Sequence, residues 1–116
     1  MAKLEKKERI VRFFTPPGFP AEFQKFAAQD PSIKDTMAEF KKRKSQIPPQ
    51  PLPGGMRDHK LDGPLADYKE CHLAGDILLI YTHANDVVTL CAVCTHADID
   101  GKKTTKMAKV IRSRLT

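Results

Sequence analysis

Tyr68-Lys69-Glu70-Cys71-His72-Leu73-Ala74-Gly75-Asp76-Ile77-Leu78-Leu79-Ile80-Tyr81-Thr82 is the stretch whose reading decides the architecture. Ala74-Gly75-Asp76 is turn chemistry: glycine accepts a positive φ without steric cost, and aspartate bonds its own backbone. The flanking segments are short and rich in residues that fit a pleated surface. The spacing predicts strands over Tyr68–Leu73 and Ile77–Thr82, the second nearly continuous in apolar residues and therefore central in its sheet. His83-Ala84-Asn85-Asp86 supplies a hairpin turn, and Val87–Thr95 the last long strand. Upstream, Met56–Leu61 is a further strand closed by Asp62-Gly63-Pro64. Strands joined by such short connections form an antiparallel meander.

The N-terminal half follows a different period. Arg9–Phe14 is β-rich and bounded by Pro16-Pro17-Gly18, so it reads as a first strand. Phe19, Phe23, Phe26 and Ala27 recur at helical spacing, which predicts a helix over about Pro20–Gln29. Asp30-Pro31 restarts the chain as N-cap and first helical residue. The second helix carries Ile33, Met37 and Phe40 on one face and ends in Lys41-Lys42-Arg43-Lys44, which suits a helix C-terminus. Ile47 to Gly55 holds four of the nine prolines and is a stiff connector. After Asp100-Gly101, the apolar line Met107, Ile111 and Leu115 among six Lys and Arg predicts a short basic amphipathic helix over 101–116, whose expected role is to cover a sheet edge or face. The expected fold class is α+β: β-α-α, then four antiparallel strands, helices on one face, and a terminal helix.

Length and composition bound the rest. The chain has 116 residues, 41% hydrophobic and 29% charged, which is one globular domain. Residues 1–8 are a polar lead-in, expected to be flexible, with no secretory pattern. No apolar run approaches the ~18 residues of a membrane span. Three cysteines, an odd number, argue against a disulfide framework and for the reducing cytoplasm. Twenty Lys and Arg against 14 Asp and Glu give a net charge of +6, which fits a polyanionic partner or a solvated basic surface. With no Trp and 7% aromatic residues, a base-stacking platform is not evident.

The chemistry concentrates in the meander, where all four histidines lie between 59 and 96. Adjacent strands lie about 4.8 Å apart, so His59, His72 and His96 can converge on one face, with Glu70 on the same side of its strand as His72. His83, at the hairpin tip, reads as an ordinary surface histidine. Imidazoles, carboxylates and nearby cations suit RNA cleavage. A ribose 2′-OH attacks the adjacent phosphodiester once a base removes its proton and an acid protonates the leaving 5′-oxygen. Neither metal nor cofactor is required. The competing reading is a small zinc protein, because Cys91-Ala92-Val93-Cys94-Thr95-His96 contains a C-x2-C step and Cys71-His72 could add ligands. On a regular strand Cys91 and Cys94 face opposite sides, so buried, apolar cysteines are expected instead.

Five segments together carry a resemblance: Pro51-Leu52-Pro53, Arg57-Asp58-His59-Lys60-Leu61-Asp62-Gly63, Tyr68-Lys69-Glu70-Cys71-His72, Asp76-Ile77-Leu78-Leu79-Ile80-Tyr81 and Thr95-His96-Ala97-Asp98. In order and spacing they resemble the YafQ branch of the RelE-like bacterial toxins, over about residues 9–100. The resemblance implies a ribosome-dependent mRNA endonuclease, held inactive by a cognate antitoxin that wraps it. It places His59, His72, Asp76 and His96 at catalytic or RNA-positioning sites, with acid/base duty shared by His59 and His96 in either order, and His72 and Asp76 positioning substrate and tuning the neighbouring imidazoles. Arg57, Lys60, Lys69 and Glu70 would help to bind RNA. Three places depart from the pattern. Ile77 stands where an aromatic is common, Ala92 and Cys94 replace the arginine and glycine of R-x-G-T-H, and Ile99 and Asp100 stand where an aromatic commonly follows. Such losses would weaken the grip on substrate, so the second reading is the same fold acting as a binding module.

Overall fold

Asn85 and Asp86 both adopt positive φ, 52° and 62°, and this pair turns the chain from one long strand into the next. A two-residue turn of that kind matches the right-handed twist of the strands it joins. The computed structural model describes residues 9–116; the lead-in over 1–8 lies outside the described residues. In chain order the elements are β1 (Arg12–Phe14), α1 (Phe19–Gln29), α2 (Ile33–Lys44), β2 (His59–Lys60), β3 (Lys69–Ala74), β4 (Ile77–Ala84), β5 (Val87–Thr95) and α3 (Lys103–Leu115), with short 3₁₀ turns at Gly54–Met56, Gly63–Leu65 and His96–Ile99. They build one five-stranded sheet in the order β1-β5-β4-β3-β2.

The meander from β2 to β5 is antiparallel, as its short turns require. β1 instead runs parallel to β5, Arg12 opposite Val87 and Phe14 opposite Thr89, and the two helices carry the chain from this edge across to β2 at the other. β1 is shorter than Arg9–Phe14. Arg9 leaves the sheet and makes a two-pronged ion pair with Asp86, both bonds 2.9 Å. β2 is likewise shorter than Met56–Leu61: Met56 is buried in a 3₁₀ turn, and Arg57 follows at φ 50°, which breaks the extended run. β4 is longer than expected, so His83 is a strand residue opposite Val88 rather than part of the hairpin tip.

Two apolar clusters sandwich the sheet. On one face α1 and α2 deliver Phe19, Ala27, Ile33, Met37 and Phe40 onto Cys71, Leu79, Tyr81, Val88 and Leu90. Phe40 meets Tyr81 edge to face, with ring centroids 4.8 Å apart. Asp30 accepts a bond from the Ser32 amide at 3.1 Å, the capping contact its sequence position requires, although regular helix begins at Ile33. The expectation that helices share a face holds for α1 and α2. α3 lies on the other face, where Ala108 and Ile111 pack on Leu78, Ile80, Ala92 and Cys94. Leu115 does not extend that contact; it is 40% exposed at the end of the helix.

β1 ends at Phe14, which leaves the outer edge of β5 unpaired beyond Thr89. Side chains satisfy that edge. Glu22 of α1 accepts the Val93 amide at 2.8 Å, and Arg114 of α3 donates to the Cys91 carbonyl at 2.9 Å. Glu22 and Arg114 also bond each other through two contacts of 2.9 Å. The ion pair thereby joins both layers and blocks the edge against further strand addition.

Because Ile111 is fully buried in the α3 cluster, Ile111→Ala is expected to cost about 2–5 kcal/mol. Urea unfolding followed by far-UV circular dichroism checks this. An unchanged midpoint would mean that α3 is not docked in solution.

Candidate functional site

The register of β2 on β3 sets the site, because it places His59 directly opposite Glu70. Residues paired across neighbouring strands share a face. The His59 Nε2 lies 3.2 Å from Glu70 Oε2, and His72, two residues along β3, brings its Nε2 to 4.0 Å from the same oxygen. Glu70 is 3% exposed, so its carboxylate sits at the floor while both imidazoles stand above it.

The other half of the site comes from two chain reversals. Asp76 lies in the β3–β4 turn and accepts the backbone amide of His96 at 3.1 Å; it also bonds His96 Nδ1. His96 starts the 3₁₀ turn that ends β5, where Thr95 and Asp98 form a capping box: Asp98 accepts the Thr95 amide at 2.9 Å. The His96 ring faces His72 at 5.1 Å between centroids and 60° between planes. His59, Glu70, His72, His96 and Asp76 therefore form one chain of contacts on one open face.

The partners decide which nitrogen carries a proton. His59 Nδ1 lies 2.6 Å from the Arg57 carbonyl, which can only accept, so Nδ1 is the donor and Nε2 is turned to Glu70. In His96 the Nδ1 proton goes to Asp76, which leaves Nε2 free toward solvent. This is how a carboxylate orients an imidazole for proton transfer. The side-chain bond from His96, then the bond from its backbone amide, hold the Asp76 carboxyl below its ordinary value.

The cationic residues named from the sequence are not gathered with the histidines. Lys60 and Lys69 are opposite each other in the β2–β3 register, on the face away from Glu70. Lys69 Nζ lies 3.3 Å from Asp58 there. Arg57 is exposed just before β2, and its contribution is the carbonyl that holds His59. The departures at Ala92 and Cys94 acquire a structural reason. Both are buried under Ala108 and Ile111, so an arginine at 92 would have to displace α3.

Cys91 and Cys94 do not face opposite sides as a regular strand would require, because a β-bulge intervenes. Ile80 pairs with Ala92, but Tyr81 pairs with Leu90, so Cys91 is the extra residue and shares the α3 cluster with Cys94. Cys71 lies across the sheet in the other cluster. All three thiols are buried, and burial pushes Cys71 and Cys91 up to about 12 and Cys94 higher still. Thiols held protonated in apolar surroundings are poor ligands. Among the described residues, Glu70, His72 and His96 form the set that can hold a metal, their ligand atoms within 4.8 Å of one another. One carboxylate and two imidazoles suit zinc or copper. The groove of about 600 Å³ between α1 and α3 includes none of the histidines, so concavity alone would have missed this site.

Residues 17–101 match the family model of YafQ, the bacterial toxin of type II toxin-antitoxin systems. The chain belongs to the YafQ toxins. A search of curated proteins returned no significant match. Among solved structures, YafQ in the Escherichia coli DinJ-YafQ toxin-antitoxin complex is 22% identical, with a TM-score of 0.63 over 79% of this chain and 100% of that one. A copper-bound mutant toxin from Helicobacter pylori is 24% identical, with a TM-score of 0.61 over 77% and 98%. The heterotetrameric YoeB-YefM complex of Staphylococcus aureus gives 20%, 0.55, 73% and 94%. These likenesses establish the RelE-like fold that YafQ toxins share. α3 begins beyond the part of the chain that matches the family model.

Asp76 is depressed chiefly by His96, so in His96→Ala its carboxyl is expected to titrate closer to the ordinary 3.8. A carbon-13 titration reads this directly, and an unshifted midpoint would show that the pair does not form in solution. A lowered carboxyl stabilises the fold above its unfolded value and loses that contribution as pH falls through the folded one. Both side chains are more than half exposed, so salt should weaken the effect.

Proposed function

We propose that this YafQ toxin is a ribosome-dependent endoribonuclease that cuts translated mRNA by metal-free acid/base catalysis. The observation that carries the reading is the gathering of three imidazoles and two carboxylates, from β2, β3 and two separate turns, on one open face. His96, oriented by Asp76 with Nε2 free, is the base that takes the 2′-OH proton. His59 is the acid: with Nδ1 bonded to the Arg57 carbonyl, its Nε2, 3.2 Å from Glu70 Oε2, is the atom that hands a proton to the leaving 5′-oxygen. His72, between the two, stabilises charge on the phosphorane by donating a hydrogen bond to it. The products are a 2′,3′-cyclic phosphate and a 5′-OH. A nucleophile already within the substrate, together with two imidazoles, accounts for every proton moved.

The inhibitor would be a cognate antitoxin, by analogy with the E. coli YafQ seen with DinJ and the S. aureus YoeB seen with YefM. Both reactants and the antitoxin would meet in the cytoplasm; among the described residues no helix is long and apolar enough to cross a membrane. A related mutant toxin from H. pylori binds copper. Copper or zinc held by Glu70, His72 and His96 would occupy two of the three imidazoles, so it acts here as an inhibitor.

A second reading keeps the fold and the antitoxin but not the chemistry. It is favoured by Lys60 and Lys69 lying on the far face and by α3 covering Ala92. Expression with primer-extension mapping of cellular mRNA separates the two. The nuclease produces growth arrest and cuts that track the reading frame; harmless expression without cuts supports the binding module.

Removal of either proton carrier is expected to slow cleavage of ribosome-bound mRNA about 10²- to 10⁴-fold. His96→Ala and His59→Ala should therefore both relieve growth arrest, and a 2′-deoxynucleotide at the cleaved position should abolish the cut. Micromolar copper or zinc should inhibit, with recovery on adding a chelator that spares ribosomal magnesium. Wild-type toxicity in His96→Ala would exclude the assignment.

A further inference from the structure

Asp58 stands one residue before His59, yet its side chain goes to the opposite face of the sheet. There it meets three donors. The Tyr81 hydroxyl donates to Oδ1, while Lys44 Nζ at 3.4 Å and Lys69 Nζ at 3.3 Å both approach Oδ2. The setting is largely dry: Tyr81 is fully buried, the Lys44 side chain is 8% exposed and that of Asp58 17%. Lys44 Nζ also lies 5.1 Å from the centre of the Tyr81 ring, a cation–π contact. The cluster thus joins the end of α2, the middle of β4 and the start of β3 to the segment that leads into β2.

We infer that Asp58 is a positioning residue for the proposed nuclease, a bolt through the sheet that holds His59 against Glu70. β2 has only two residues, and each pairs with β3 alone, so its ladder is too short to fix His59 by itself. Arg57 sits at φ 50°, a conformation that costs a non-glycine residue and persists where surroundings impose it. That turn aims the Arg57 carbonyl at His59 Nδ1. Asp58 is the residue between these two fixed points, and its three partners come from elements already locked into the core. Burial pushes its carboxyl up, but the Tyr81 hydroxyl and the two ammonium groups outweigh that and hold it below its ordinary value, so the bolt is an anion at neutral pH. Lys44, a buried lysine far from any RNA-facing surface, and Tyr81, a tyrosine whose hydroxyl would otherwise lack a partner, acquire a purpose in the same arrangement.

The inference rests on the nuclease reading, and the test separates the two. Asp58→Asn keeps the shape and removes the charge; Tyr81→Phe keeps the ring and removes one donor. In both, kcat for cleavage of ribosome-bound mRNA is expected to fall at least tenfold, toward the hundredfold that a misplaced catalytic group costs, with KM within about twofold. Ile111→Ala serves as the control: it lowers stability without touching Asp58, and its kcat stays at the wild-type value wherever it is folded. The second readout needs no activity. Imidazole nitrogen-15 spectra of wild type should show His59 held in one fixed state, with Nδ1 protonated toward the Arg57 carbonyl. Both variants should show it averaged between tautomers, with His96 unaffected. If wild type does not cleave mRNA but the His59 spectrum responds as described, the nuclease reading fails and the bolt stands. If Asp58→Asn does not fold, Tyr81→Phe decides. Full kcat together with an unchanged His59 spectrum in a folded variant overturns the inference.

Discussion

A carboxylate shut away from water must find positive or proton-bearing partners, and Glu70 is such a carboxylate. An unpaired charge at its depth would cost several kcal/mol. The fold answers by bringing His59 across from β2 and His72 along β3, so that the floor of the site is satisfied by the groups that would do chemistry above it. The same requirement explains why a two-residue strand is present at all. β2 contributes little to the sheet as a ladder; its contribution is an imidazole placed over a buried anion. On the reverse face a half-buried anion, Asp58, is satisfied by Lys44, Lys69 and Tyr81. The edge of the meander is thus held by polar networks on both sides, where its backbone pairing is thinnest.

The second core raises a different question. YafQ toxins match this chain through residue 101, and α3 adds an apolar layer after that point. It stabilises the sheet by covering Leu78, Ile80, Ala92 and Cys94, and it ties itself to α1 through Arg114 and Glu22. That coverage uses the same face as the histidines. Where the family pattern has an arginine and a glycine before its Thr-His pair, this chain has small or apolar side chains that fit beneath a helix. Ala92 and Cys94 serve the core beneath α3, while the three imidazoles and Asp76 lie outside that cluster.

Legibility from sequence followed the range of the interactions. Turns were plain because Gly75 and the Asn85-Asp86 pair declare themselves locally, and strand boundaries in β3 and β5 followed within a residue. The pairing of Glu70 with His72 was legible because period two puts them on one side. Lys60 and Lys69 are neighbours of His59 and Glu70 in sequence but stand on the other face, since alternate residues on a strand turn to opposite sides. The bulge at Cys91 was invisible, because nothing in Leu90-Cys91-Ala92 marks an extra residue. Asp58 carried no signal of its own: its three donors come from positions 44, 69 and 81, and only their convergence makes it a hub.

By itself the sequence determined the α+β class, the meander, the helical pair and the candidate histidines, since periodicity and turn chemistry act over a few residues. Tertiary structure alone decided that β1 runs parallel to β5, that α3 takes the opposite face from α1 and α2, and that Glu22 and Arg114, 92 positions apart, close the open edge. It also decided which charged groups face the histidines. Those outcomes depend on how layers stack and how strands register, and a one-residue change of register turns every side chain to the other face.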